Sequence, residues 1–104
     1  MTLNEYQVLA QRTSNDDADK LLNGCMGMCG EAGECIDIMK KHRMQGHALA
    51  KDKLAEEIGD VLWYVAEAAA GLGMSLEEIA MLNIAKLRAR YPQGFDAERS
   101  INRE

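Results

Sequence analysis

Glu31 with Glu34, and Glu57 with Asp60, form two carboxylate pairs, each spaced three residues apart. On a helix such residues share a face, so each pair aims two negative groups at one point, and two facing pairs would surround a hard cation. An all-oxygen ligand set suits Mg²⁺, Mn²⁺ or Ca²⁺ rather than zinc. Mg²⁺ held by a few carboxylates keeps positions for water and for substrate phosphates, so the pattern points to phosphate chemistry. In a chain with 28% charged residues a single such pair usually marks a solvated face. The setting here is different: Glu31 and Glu34 lie among Gly24, Gly27, Gly30 and Gly33, and Asp60 precedes the apolar run of residues 61–65.

Helices must position these pairs. With one proline in 104 residues and few β-branched runs, the sequence predicts an all-α fold of four helices. The first spans residues 3–12, with Thr2 as N-cap and Leu3, Tyr6 and Leu9 or Ala10 as its apolar stripe. Residues 13–19 read as a polar loop. The second helix begins near residues 18–20 and reaches 41–43, where Lys40, Lys41, His42 and Arg43 complement the negative helix end, and Gly46 closes it. The third runs from residue 50 or 52 to 72, with Leu54, Ile58, Val61, Leu62 and Val65 at core spacing and Gly71 and Gly73 as its stop. The fourth opens on a capping box, Ser75 and Glu78, buries Ile79, Leu82 and Leu87, and ends at Arg90 or Tyr91 because Pro92 disfavours helix before it. One domain is expected over residues 1–95, followed by a polar tail over 96–104 that is extended or partly ordered.

If the second and third helices are antiparallel, the short connection through Gly46 brings both acidic pairs to one level. Glu57 is a better candidate than Glu56 because it shares a stripe with Asp60 and Tyr64. The glycines at positions 24, 27, 30 and 33 each cost about 1 kcal/mol relative to alanine in a helix interior. Spaced by three, they are expected to leave a bare ridge that lets another helix, or a ligand, approach the backbone. The odd set of three cysteines, Cys25, Cys29 and Cys35, lacks CxxC spacing and reads as small buried side chains. The seven methionines read mainly as core filler.

Other metal readings fail on named residues. A di-iron bundle needs Glu-x-x-His repeats, and neither His42, three after Met39, nor His47, three after Met44, has that glutamate. The loop containing Asn15, Asp17 and Asp19 starts like an EF-hand, but Lys20 stands where glycine is needed and Met26 where the bidentate glutamate is needed. The net charge of −5 and pI near 5.0 argue against nucleic acid or an anionic membrane as main partner, though a local basic patch is compatible with that total. No run approaches a membrane span, and residues 1–12 lack the pattern of a signal peptide, so a cytoplasmic location is expected. Asn83, Lys86 and Arg90 lie on one side of the fourth helix, where the cations can neutralise phosphate oxygens and the amide can both donate and accept.

Gly30-Glu-Ala-Gly-Glu34, then Glu57-Ile-Gly-Asp-Val-Leu-Trp-Tyr64, then Asn83-Ile-Ala-Lys-Leu-Arg-Ala-Arg-Tyr-Pro92 together resemble the MazG-type nucleoside triphosphate pyrophosphohydrolases of the all-α NTP pyrophosphatase superfamily. The likeness covers about residues 3–95. It implies a four-helix bundle assembled into dimers or tetramers whose sites are completed by a neighbouring subunit. It further implies Mg²⁺-dependent cleavage of NTPs or dNTPs between the α and β phosphates, with house-cleaning of non-canonical or surplus nucleotides as the purpose. On this resemblance Glu31, Glu34, Glu57 and Asp60 are metal ligands, Asn83 and Lys86 contact the nucleotide, and Tyr64, one turn beyond Asp60, reaches it. Arg90 joins the expected substrate-binding set from its place on the same side of the fourth helix, and Glu31 is a candidate base. Base recognition is expected from pocket walls that include Asn4 and Gln7. The rival reading is a non-catalytic helical oligomer that binds nucleotide or protein.

Overall fold

Capping residues divide the chain into five helices in a computed structural model that describes residues 1–103. Helix α1 (Leu3–Gln11) opens on a capping box: the Thr2 hydroxyl accepts from the Glu5 N–H, and the Glu5 carboxylate accepts from the Thr2 N–H. Asp19 caps α2 (Lys20–Gln45), which stops at Gly46 in the left-handed region, φ 74°. Helix α3 (Lys51–Gly71) turns into α4 (Leu76–Arg90) through Gly73, φ 71°, and the Ser75–Glu78 capping box. In the tail, Asp96 caps a short α5 (Ala97–Ile101) by accepting from the Glu98 and Arg99 N–H groups. A local cap thus orders part of the tail, the second of its two expected states.

The main packing unit is the α2–α3 pair, and glycine sets its closeness. A Cβ on Gly24 would collide with the backbone of Ala68, one on Gly27 with the ring of Tyr64, and one on Gly71 with the backbone of Leu21. Those pairings define an antiparallel register. Gly30 and Gly33, by contrast, face open space. A spacing of three falls short of the 3.6-residue turn, so the glycine row winds about 180° around α2 between its first and last members. Only half the row therefore meets α3.

The buried core is small, built from Ala10, Ala66, Ala69 and Leu76 with Tyr6, Trp63, Val65 and Ile79 packed against it. Helix α1 crosses α3 and α4 there. Glu67, only 1% exposed, ties the layers together: its carboxylate accepts from Gln11 Nε2 (3.0 Å), Asn23 Nδ2 (2.8 Å) and the Ser14 hydroxyl. Burial pushes this carboxyl up, but the three donors and the nearby Lys20 charge outweigh it and leave Glu67 below the usual carboxylate range.

Helix α4 packs against α1 and α3 and is otherwise uncovered, with Met81, Leu82, Ile84 and Leu87 all exposed. The radius of gyration is 16.6 Å, against about 13 Å for a compact domain of this length. One chain therefore does not close four helices around a common core. For the same reason several expected core residues lie at the surface: Ile58, Leu62, Leu82 and Leu87 are exposed, as are Met26, Met44 and Met81. Cys25 and Cys29 are exposed too, because they sit on α2 where α3 does not reach, and all three cysteines are free.

Candidate metal centre

The glycine-set register of α2 against α3 continues to the acidic residues. With Gly24 against Ala68 and Gly27 against Tyr64, the next turn of α2 carries Glu31 to the level of Glu57 and Asp60. One carboxylate oxygen from each of these three residues lies within 4.8 Å of the others. Lys53, one turn before Glu57, is the cation at this cluster, with Nζ 3.3 Å from Glu57 Oε1 and 3.7 Å from Glu56 Oε2. Glu56 itself points away into solvent with its side chain 71% exposed.

Crowding of like charges shows in the titration of the pair. The hydrogen bond to Glu57 holds the Glu31 carboxyl above its ordinary value, and burial and the charges of Glu57, Asp60 and Glu34 add to that. The same bond, with Lys53, holds Glu57 below its ordinary value. Three converging carboxylates served by a single ammonium form a donor set that fits a hard divalent cation, and the residues present suit Mg²⁺ or Mn²⁺.

Aromatic side chains wall the site. A cavity of about 270 Å³ is lined by Glu31, Asp60, Trp63 and Tyr64. Tyr64 lies over Gly27, and its ring meets Trp63 edge-on at 5.0 Å. Trp63 is fixed from its other end, where Nε1 donates to Thr13 Oγ1 (2.8 Å) and the Ala10 carbonyl (3.2 Å). Tyr6 of α1 is close as well: burial, then the Asp60 charge, raise its hydroxyl above the usual range.

Glu34 stands apart from the three-carboxylate cluster. It lines an adjoining cleft of about 250 Å³ with Asp37, Lys41, His47, Lys53 and Glu57, so Glu57 borders both spaces. Asn83 and Lys86 are exposed on α4 and line neither, and Arg90 lies at the far end of α4 beside α5. Asn4 and Gln7, expected at a base-recognition wall, are engaged elsewhere. The Asn4 carboxamide exchanges bonds with the Glu77 N–H and carboxylate, while Gln7 accepts from the Leu76 N–H and donates to the Met74 carbonyl. Together they satisfy donors at the start of α4 that no helix can satisfy internally. The His42 ring donates to the His47 carbonyl at 2.8 Å, and neither histidine belongs to the cluster.

Lys53, Tyr6 and Trp63 were not expected at the site, and Tyr6 reads from spacing only as part of an apolar stripe. Lys53 had a signal, since a lysine one turn before an acidic residue shares its face. Glu67 had one too: it is a lone charge inside the apolar run of residues 65–70. The contacts of Tyr6 and Trp63 depend on how α1 crosses α3, which no spacing encodes.

Residues 23–95 match the MazG nucleotide pyrophosphohydrolase domain, which is most of the chain and contains every carboxylate of the site. The chain belongs to that family. It is also 32% identical over 105 residues to the "Gene 37 protein" of Mycobacterium phage L5, a match that covers 90% of this chain and 92% of the phage protein. No solved structure matches. No helix among the described residues is long and apolar enough to cross a membrane.

Proposed function

We propose that the protein is a Mg²⁺-dependent pyrophosphohydrolase that converts NTPs or dNTPs to the monophosphate and pyrophosphate. The observation that carries this reading is the convergence of Glu31, Glu57 and Asp60 oxygens within 4.8 Å, inside the segment that matches a nucleotide pyrophosphohydrolase domain. Mn²⁺ is an acceptable substitute on the same donor set.

Glu31, Glu57 and Asp60 would hold the metal, with Glu34 joining from the adjoining cleft. When bound, the cation supplies charge neutralisation of the triphosphate and acidifies a water. In the reaction the water oxygen bonds to the α phosphorus, the bond from that phosphorus to the bridging oxygen of the β phosphate breaks, and pyrophosphate leaves. Glu31, which lines the cavity beside Asp60, is the residue suited to receive the water's proton. Lys41 and Lys53 border the cleft beside Glu57, where cations stabilise a departing pyrophosphate. Tyr64 and Trp63 offer ring faces to the nucleotide at the cavity wall.

Asn83, Lys86 and Arg90 enter this reading through assembly. The exposed apolar residues of α4 and the 16.6 Å radius of gyration support a dimer or tetramer, in which α4 of a neighbouring copy brings these residues to the cluster. House-cleaning of surplus or non-canonical nucleotides in the cytoplasm is the purpose that such an activity serves.

Product analysis tests the reading. Incubation with a panel of NTPs and dNTPs and Mg²⁺ is expected to yield monophosphate and pyrophosphate in equal amounts, and neither product after chelation. Orthophosphate as the first product would move the cleaved bond. No product from any nucleotide would leave a non-catalytic binder.

A further inference from the structure

The corner where α5 folds back on α4 gathers positive charge in a chain of net charge −5. Arg90, Arg99 and Arg103 line a cleft of about 410 Å³ with Ala89 and Asn102, and none of these lining residues is acidic. No ion pair among the described residues involves any of the three arginines.

The fold imposes this convergence. Gly94, φ 96°, reverses the chain after Pro92, the Phe95 ring packs on Tyr91 at 5.6 Å, and Asp96 starts α5. Arg99 Nη1 then donates to the Arg90 carbonyl at 3.4 Å, which anchors its head at the end of α4. Complementing the negative end of α4 accounts for Arg99 and Arg90. It does not account for Arg103, which lies beyond α5 and makes no hydrogen bond among the described residues. Like charges that line one cleft repel, and an anion between them reverses the sign of that interaction.

We infer that this corner is an anion pocket that takes a chain of phosphate groups. Guanidinium forks match phosphate oxygens in bidentate geometry, and the Asn102 amide adds a neutral donor. The cleft volume lies in the range of small-ligand sites. Arg99 and Arg103 lie outside the segment that matches the family domain, so the pocket is a property of this chain's own tail. Arg90 is shared with the proposed nucleotide site, whereas Arg99 and Arg103 belong to this corner alone, so the test is made on those two.

Calorimetric titration of the full chain with inorganic tripolyphosphate, in chelator and without divalent metal, tests it. Binding is expected in the wild type and about tenfold weaker or worse in Arg103→Ala, with a further loss in the Arg99→Ala/Arg103→Ala double variant. Arg103→Ala removes no bond within the described chain, so circular dichroism is expected to be unchanged, and Glu57→Gln is expected to bind as the wild type does. No binding by the wild type, equal affinity in the arginine variants, or a loss confined to Glu57→Gln would each overturn the pocket. A non-hydrolysable dNTP analogue then separates the sources. The same arginine-dependent loss assigns the phosphates of a nucleotide, and a loss for tripolyphosphate alone assigns free inorganic chains. Because no cleavage is measured, a failure here is distinct from a failure of the proposed activity.

Discussion

Helix α3 carries two carboxylate centres about 15 Å apart along its axis, and they are built in opposite ways. Glu67 is surrounded by neutral donors that fill its acceptor positions, and it sits below the usual carboxylate range despite being buried. Glu57 and Asp60 face another carboxylate, Glu31, with one lysine between three acids. A carboxylate whose acceptor positions are filled holds neighbouring elements in place and has nothing left to offer a ligand. Carboxylates that face each other oppose folding locally and have every reason to accept a cation.

The sharpest way to break this contrast is to neutralise one member of each centre. Asp60→Ala is expected to lower pyrophosphate release by about a thousandfold or more, while thermal unfolding shows equal or higher stability because a repulsion is removed. Glu67→Ala is expected to do the reverse. It strands the donors of Gln11, Ser14 and Asn23, costs about 2–3 kcal/mol, and is read by denaturant melts. A Glu67→Ala protein as stable as the wild type would erase the distinction.

Gly27→Ala comes next, because its Cβ would meet the Tyr64 ring that borders the acidic cavity. Overpacking there is expected to cost about 1–3 kcal/mol and to raise KM by moving Tyr64. Gly33→Ala meets nothing within 4 Å and is expected to gain up to about 1 kcal/mol from helix propensity. The pH dependence sharpens the contrast further. Since the folded Glu67 carboxyl lies below its ordinary value, its stabilisation is fully present above the unfolded pKa and is lost as pH falls through the folded one. Urea midpoints measured toward acid pH are therefore expected to fall more steeply in the wild type than in Glu67→Gln.

Features written by short-range chemistry were legible in the sequence. Thr2 and Ser75 each open a capping box, Gly46 ends α2 in the left-handed region, and α4 stops before Pro92. The pairing of Glu31 with Glu57 and Asp60 was legible too, since it needs only helical spacing and one hairpin. Glu34 lies beside the three-carboxylate group and not within it, because sharing a face with Glu31 does not fix which side of α3 that face meets. Asn4 and Gln7 were assigned to substrate when they serve the start of α4, a tertiary duty more than sixty residues away in sequence. The apolar faces of α3 and α4 were read as an internal core, whereas hydrophobic periodicity marks a surface to be covered without saying by what.

The hydrogen bonds of Glu67 also bear on the order of assembly. They join residues 44 to 56 positions apart in the chain, whereas the α2–α3 hairpin closes through a short turn at Gly46. Loop-closure entropy favours the local pair first, and α1 is fastened last, when Gln11 and Ser14 reach the buried carboxylate. Substitutions at Glu67 are accordingly expected to accelerate unfolding far more than they slow folding, making this side chain the latch that sets how long the native state persists.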